Sequence, residues 1–271
     1  MNRSLAVIGV GNMAKAILSG IISSNNFNLS EILLYDKNST QYDGLSGSSS
    51  IPFRVTNSAS EAVLGADCVL LSVKPQNIPE ILAEIATVEG HEKKLYISIA
   101  AGITVENVSQ PLDGACVVRV LPNVPMLIGK GVSVICKNPL VNVSDFEFVC
   151  SVFRCAGSII LIQETEMNRM IGVTSSSPAY VFQFINAIDQ GALAQGLPDE
   201  GLLNTVCDMV IGSAMLLKGS SDSPEELIAK VASKGGTTEQ ALKKLNEGHL
   251  NETIRQAMIA CTTRANELGS K

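Results

Sequence analysis

The chain has 271 residues, 46% of them hydrophobic and 17% charged, with a net charge of −6. That length is enough to bury a sizeable core, in one large domain or two of ordinary size. An acidic balance without a basic stripe argues against nucleic acid as a partner, and apolar runs interrupted well short of about 20 residues argue against a membrane span.

The first element is an apolar strand at residues 5–9, with no basic stretch and signal-type core before it, which makes a cytoplasmic protein the expectation. The strand runs into Gly9-Val10-Gly11-Asn12-Met13-Ala14, followed by an amphipathic stretch with Met13, Ile17 and Ile21 four apart. Strand, glycine turn and helix in succession is the context of a dinucleotide fingerprint. Gly9 makes the turn, Gly11 lets the backbone approach a pyrophosphate, and Ala14 keeps helix and strand close. A second apolar run, 32–35, ends in Asp36, 22 residues beyond Ala14 and placed to meet an adenosine ribose. Asp36 favours a ribose diol and so NADH. If it turns away, Lys37, Asn38, Ser39 and Thr40 are placed to cradle the 2′-phosphate of NADPH, and both cofactors stay open.

Further strands are expected at 53–55, 68–72, 95–99, 116–120, 132–136 and 159–162, with helical stretches at 60–64, 77–87 and 145–153 between several of them. The serine-rich piece 46–50 reads as a short loop. Strand and helix in alternation imply a doubly wound parallel sheet, which binds nucleotides outside the carboxyl ends of its strands. Three of those ends carry unusual residues: Ser72-Val73-Lys74-Pro75, Ile99-Ala100-Ala101-Gly102 and Leu121-Pro122-Asn123-Val124-Pro125.

From about Glu164 the strand signal stops. Pro178 opens a helix with Val181, Phe184, Ile185 and Ile188 on its apolar face, and Pro198 opens another through Val206, Met209 and Leu216. Ser223-Pro224 is an N-cap with proline in the first turn, and a last helix carries Ile254, Met258, Cys261, Ala265 and Leu268. The expected organisation is a dinucleotide-binding Rossmann-like domain at 1–162 and an all-α domain at 163–271.

Within the helical half lies Gly235-Gly236-Thr237-Thr238. Paired glycines let consecutive N–H groups converge on an anion, and a helix beginning at Thr238 or Glu239 adds its own donors and partial positive charge. A plain helix connection, with a glycine C-cap and a threonine N-cap, is the alternative reading of the same residues. The seven cysteines include no CxxC pair and read as small buried hydrophobes in a reducing compartment. His91 and His249 sit in polar stretches, read as solvated loop residues, and no spacing suggests a metal. A charged fraction of 17%, against about 25% in a typical domain, predicts a homo-oligomer with the helical half as its interface.

Five stretches together resemble the pyrroline-5-carboxylate reductases, which reduce a cyclic imine to proline. They are Ile8 through Ala14, Val73-Lys74-Pro75, Arg119 through Pro125, Ser175 through Phe182, and Ser233-Lys234-Gly235-Gly236-Thr237-Thr238 with the helix reaching Arg255 to Met258. The resemblance implies a Rossmann domain followed by a helical domain that intertwines with a partner subunit. It places the nicotinamide cofactor on Gly9, Val10, Gly11, Asn12, Met13, Ala14, Val73, Lys74, Pro75 and Ala100. Asp36, Lys37, Pro122 and Asn123 join that set by their places at strand ends. The imino acid substrate falls on Ser233, Gly235, Gly236, Thr237, Thr238 and Glu164, with the Thr238 hydroxyl on the ring nitrogen as the catalytic contact. The chain departs from the family at Val124, where relatives have threonine, at Thr174 through Ser177, where they have Ser-Gly-Ser-Gly, and at Lys234, where they have proline. A hydroxyacid reductase of the same plan would carry a lysine on its interdomain helix, where 167–190 offers only Arg169. A non-catalytic nucleotide-binding relative is the third reading.

Overall fold

The computed structural model describes residues 3–24, 27, 29–42 and 50–269. Most of the serine-rich loop, 46–49, and the side chains of Ser39 and Thr40 lie outside that description. Eight strands form one sheet: β1 (Arg3–Ile8), β2 (Leu29–Tyr35), β3 (Phe53–Val55), β4 (Cys68–Leu71), β5 (Leu95–Ser98), β6 (Cys116–Leu121), β7 (Gly131–Lys137) and β8 (Gly157–Leu161). Their order is β3-β2-β1-β4-β5-β6-β7-β8. The chain therefore reverses its winding direction between β1 and β4, which opens a crevice at the carboxyl ends of those strands.

Helices cover both faces. On one face lie α1 (Asn12–Ser23) and α5 (Val143–Arg154); on the other lie α2 (Ala59–Leu64), α3 (Ile78–Ile85) and α4 (Val105–Ser109). The two-residue period of a strand divides β1 between them: Leu5 and Val7 join the first core, Ala6 and Ile8 the second. Burial on both sides is why these strands read as continuous apolar runs.

The sheet departs from the expected all-parallel plan at one place. β7 runs antiparallel to β6, with Val120 opposite Ile135, because a single 3-10 turn, Val124–Ile128, returns the chain without a crossover helix. α4 was not anticipated. It is five residues long and is held by a capping box between Thr104 and Asn107.

After β8 come α6 (Glu164–Met170), a π turn (Ile171–Ser175), α7 (Ser177–Ala194), α8 (Leu202–Gly219), α9 (Pro224–Val231), α10 (Thr237–Glu247) and α11 (Leu250–Gly269). α8 starts at Leu202 and not at Pro198, because Gly201 is left-handed at φ 75° and ends the preceding turn. α10 starts at Thr237 with Gly236 as an extended N-cap, so neither threonine caps the helix with its side chain. The expected solvated His91 is instead buried: its Nδ1 lies 2.8 Å from the Val88 carbonyl, and the Tyr96 hydroxyl donates to the His91 carbonyl at 2.9 Å. All seven cysteines are free; Cys68, Cys136 and Cys150 are buried and the other four half-buried.

The chain divides into two compact units, 1–176 with 259–271, and 177–258. The last strand ends at Leu161, and α6 with the π turn belongs to the first unit. In the second unit α7 packs on α8. The 18 residues of α8 are apolar and long enough, by length and composition, to cross a membrane, and only 6% of them are buried.

Candidate active site

The glycine turn after β1 is shaped by contact with β4. Gly9 is left-handed at φ 91°, and a Cβ there would sit 2.8 Å from the Ser72 carbonyl oxygen, so only glycine fits. Its N–H donates to the Tyr35 carbonyl at 2.8 Å, which ties the turn to the end of β2. Gly11 differs: nothing lies within 4 Å of the position its Cβ would take. α1 then begins without a side-chain cap and without an acid in its first turn. Its leading N–H groups and the positive end of its dipole are left for an anion.

Asp36 does not point outward. Its Oδ2 accepts from the Val10 N–H at 2.7 Å and its Oδ1 from the Asn38 N–H at 2.8 Å. Its own N–H donates to the Tyr42 hydroxyl at 2.6 Å, and that hydroxyl donates to the Asp36 carbonyl at 3.0 Å. The carboxylate thus braces the glycine loop from behind.

Six of the residues expected to touch cofactor converge here. Gly9, Gly11, Asp36, Lys37, Val73 and Lys74, from three separate segments, line one cleft of about 290 Å³ with Tyr35, Ser72 and Asn77. Val10 and Ala14 are buried directly behind it, Met13 is half-buried, Asn12 is exposed, and Pro75 opens the 3-10 turn Pro75–Asn77. Ala100 and Pro122 are buried at the ends of β5 and β6.

Asn123 is also buried, and both ends of its amide bond to backbone groups. Oδ1 accepts from the Val132 N–H at 2.8 Å and Nδ2 donates to the Thr174 carbonyl at 3.0 Å. The Ser175 hydroxyl adds a bond of 3.3 Å to the Pro122 carbonyl. These bonds stitch the π turn to the end of β6, and π turns inside helices recur at functional sites.

Glu164, the first residue of α6, belongs to a different cluster. Its Oε1 accepts from Arg119 Nη1 at 2.7 Å and from the Val105 N–H at 3.2 Å, while its Oε2 lies 3.3 Å from Cys136 Sγ. Burial pushes the Cys136 thiol up, and the facing carboxylate adds to the shift, so this sulfur is a poor nucleophile. Arg119 is only 1% exposed; its Nη2 donates to Asn168 Oδ1 at 2.6 Å, and Asn168 donates in turn to Asn266 at 2.8 Å. Arg119 was legible only as a cation inside the apolar run of β6, a signal that distinguishes it from its neighbours without assigning a role.

The Gly-Gly-Thr-Thr turn lies in the second unit and is largely exposed. Gly235 is left-handed at φ 75°, and its N–H is accepted by Glu239 Oε2 at 2.9 Å. The Gly236 N–H returns to the Ser233 carbonyl at 2.9 Å. No side chain caps α10, which leaves the N–H groups and hydroxyls of Thr237 and Thr238 at the positive end of an 11-residue helix. Lys234, Ser233 and Thr237 are exposed beside them.

Comparison with known proteins covers nearly the whole chain. Residues 164–268 match the family model described as pyrroline-5-carboxylate reductase dimerisation, and residues 4–102 match that described as NADP oxidoreductase, coenzyme F420-dependent. The pyrroline-5-carboxylate reductase of Escherichia coli (strain K12) is 33% identical over 269 residues, 99% of each chain. That of Synechocystis sp. is 31% identical over the full length of both. Among solved structures, the Plasmodium falciparum enzyme with NADP bound superposes with a TM-score of 0.88 at 26% identity, covering 99% of this chain and 98% of that one. The Coxiella burnetii reductase gives 0.86 at 29% identity over 99% of each. The chain belongs to the pyrroline-5-carboxylate reductase family.

Proposed function

We propose that this chain reduces the C=N bond of 1-pyrroline-5-carboxylate to give L-proline, using NADPH or NADH. The observation that carries the reading is the convergence of Gly9, Gly11, Asp36, Lys37, Val73 and Lys74 on one cleft at the carboxyl ends of the central strands. When bound, the nicotinamide cofactor supplies the hydride, and the protein supplies placement and electrostatics.

The chain's own residues divide that work. The start of α1 receives the pyrophosphate on its N–H groups, and Asp36 keeps the loop in shape by holding Val10. Val73 and Lys74 line the cleft with Pro75 next in the chain, and Ala100, Pro122 and Asn123, buried at the ends of β5 and β6, complete the set proposed to meet the cofactor. Gly235 and Gly236 shape the turn, the N–H groups at the start of α10 with Ser233 and Thr237 beside them receive the substrate carboxylate, and Thr238 Oγ bonds the ring nitrogen. A protonated imine needs no additional acid to receive hydride at carbon. The second unit associates with another copy of this chain, and the seven free thiols suit the reducing cytoplasm.

The test is consumption of reduced cofactor by purified protein given pyrroline-5-carboxylate. Thr238→Ala is expected to lower kcat/KM by roughly 10- to 100-fold, the worth of one hydrogen bond to a charged partner. Unchanged kinetics in that variant overturn the role of Thr238, and absence of turnover in the wild type overturns the assignment.

A further inference from the structure

We propose that Glu80 tunes the choice between phosphorylated and unphosphorylated dinucleotide by holding Lys37 at the mouth of the cleft. The inference rests on the cofactor reading above and deepens it.

In a sheet of this kind the residues at the end of the second strand face the adenosine ribose. Here the acid at that place is already engaged in part. Both oxygens of Asp36 already accept backbone N–H groups, one in the glycine loop and one from Asn38. The next residue, Lys37, is a cation that lines the same cleft directly after that acid. Its ammonium donates to Glu80 Oε1 at 2.9 Å, from a side chain in the first turn of α3. The hydrogen bond to Glu80 also raises the Lys37 pKa above its ordinary value.

The pair is built to open. Lys37 and Glu80 are 60% and 67% exposed, and ion pairs in such settings contribute little to stability. A 2′-phosphate brings close to two negative charges and several strong acceptors, and therefore displaces a single carboxylate from the ammonium. A ribose hydroxyl has no such advantage and leaves the pair closed. Glu80 thus opposes NADPH as a competitor for Lys37, while leaving NADH untouched.

The experiment is titration of the intact protein with NADPH and with NADH, following nicotinamide fluorescence, for the wild type, Glu80→Gln, Lys37→Ala and the double variant. Glu80→Gln is expected to tighten NADPH about three- to fivefold and to change NADH by less than about 1.5-fold. Lys37→Ala is expected to weaken NADPH about tenfold and to make Glu80→Gln silent in the double variant. An equal shift for both nucleotides, no shift, or an effect of Glu80→Gln that persists without Lys37 overturns the inference and leaves the cofactor reading standing. Failure of the wild type to bind either nucleotide overturns both.

Discussion

Glu164 and Arg119 show how one side chain's surroundings decide what removing it does. Arg119 sits in the middle of a sheet with 1% of its surface exposed, and its charge is met by Glu164 Oε1 at 2.7 Å. Glu164 also takes the Val105 N–H, so a single carboxylate joins β6, the start of α4 and the start of α6. A buried pair is weak evidence of net stabilisation, but breaking it from one side leaves a charge without compensation. Glu164→Ala is therefore expected to destabilise the protein by about 3 kcal/mol, measured as a lower urea midpoint. Glu164→Gln keeps an acceptor for Arg119 and should fall between the two. If Glu164 instead serves only as a contact for the imino acid, Glu164→Ala will unfold at the wild-type midpoint while KM for substrate rises.

The end of β6 applies the same reasoning to whole elements. Asn123 joins β7 to the π turn before α7, and its partners are a half-buried backbone N–H in Val132 and a buried backbone carbonyl in Thr174. Asn123→Ala leaves the Val132 N–H and the Thr174 carbonyl unpaired, at about 1–3 kcal/mol each. The expected result is a loss of about 2–4 kcal/mol in stability, with amide exchange in residues 171–176 quickening before the sheet opens. Retention of wild-type protection there would show that the π turn is held by something else. Such elements also mark how far the sequence is legible. Strands β1, β4, β5 and β6 were evident because they are buried on both faces and read as unbroken apolar runs. The reversal at β7 was not, since an apolar run of the same kind serves either direction and the deciding turn, Val124–Ile128, carries no glycine–asparagine signature. α4 was too short and polar to show a helical period, and α8 began late because only a backbone angle at Gly201 distinguishes a turn from a first helical residue. At the site, residue types and spacing pointed to the cleft, but the inward turn of Asp36 and the two backbone bonds of Asn123 are facts of geometry.

At the scale of the whole molecule, the second unit exposes many large apolar side chains. Met215, Leu216, Ile211 and Phe182 are 69%, 62%, 57% and 58% exposed. Between α7 and the α10–α11 corner runs an apolar groove of about 640 Å³, lined by Phe184, Ile188, Leu245 and Ile254 among others. Contiguous patches of this kind mark an interface. A lipid surface and a second copy both cover apolar area, and among the described residues α8 alone combines the length and apolar composition to cross a bilayer. The polar content of the neighbouring helices favours the copy: α9 to α11 bear Glu225, Glu226, Lys243, Lys244, Glu252 and Arg255, which a bilayer would not accept without large cost. The match of 164–268 to a dimerisation model points the same way. The protein is therefore expected to sediment without detergent as a dimer or larger assembly at micromolar concentration. Leu216→Glu, which sets a charge in the middle of the covered face, should shift it toward monomer in the same ultracentrifugation run and lower the urea midpoint in a concentration-dependent way, because association contributes to the stability of each subunit. A wild-type protein that sediments as a monomer, or that requires detergent to stay in solution, would remove the second copy from this face.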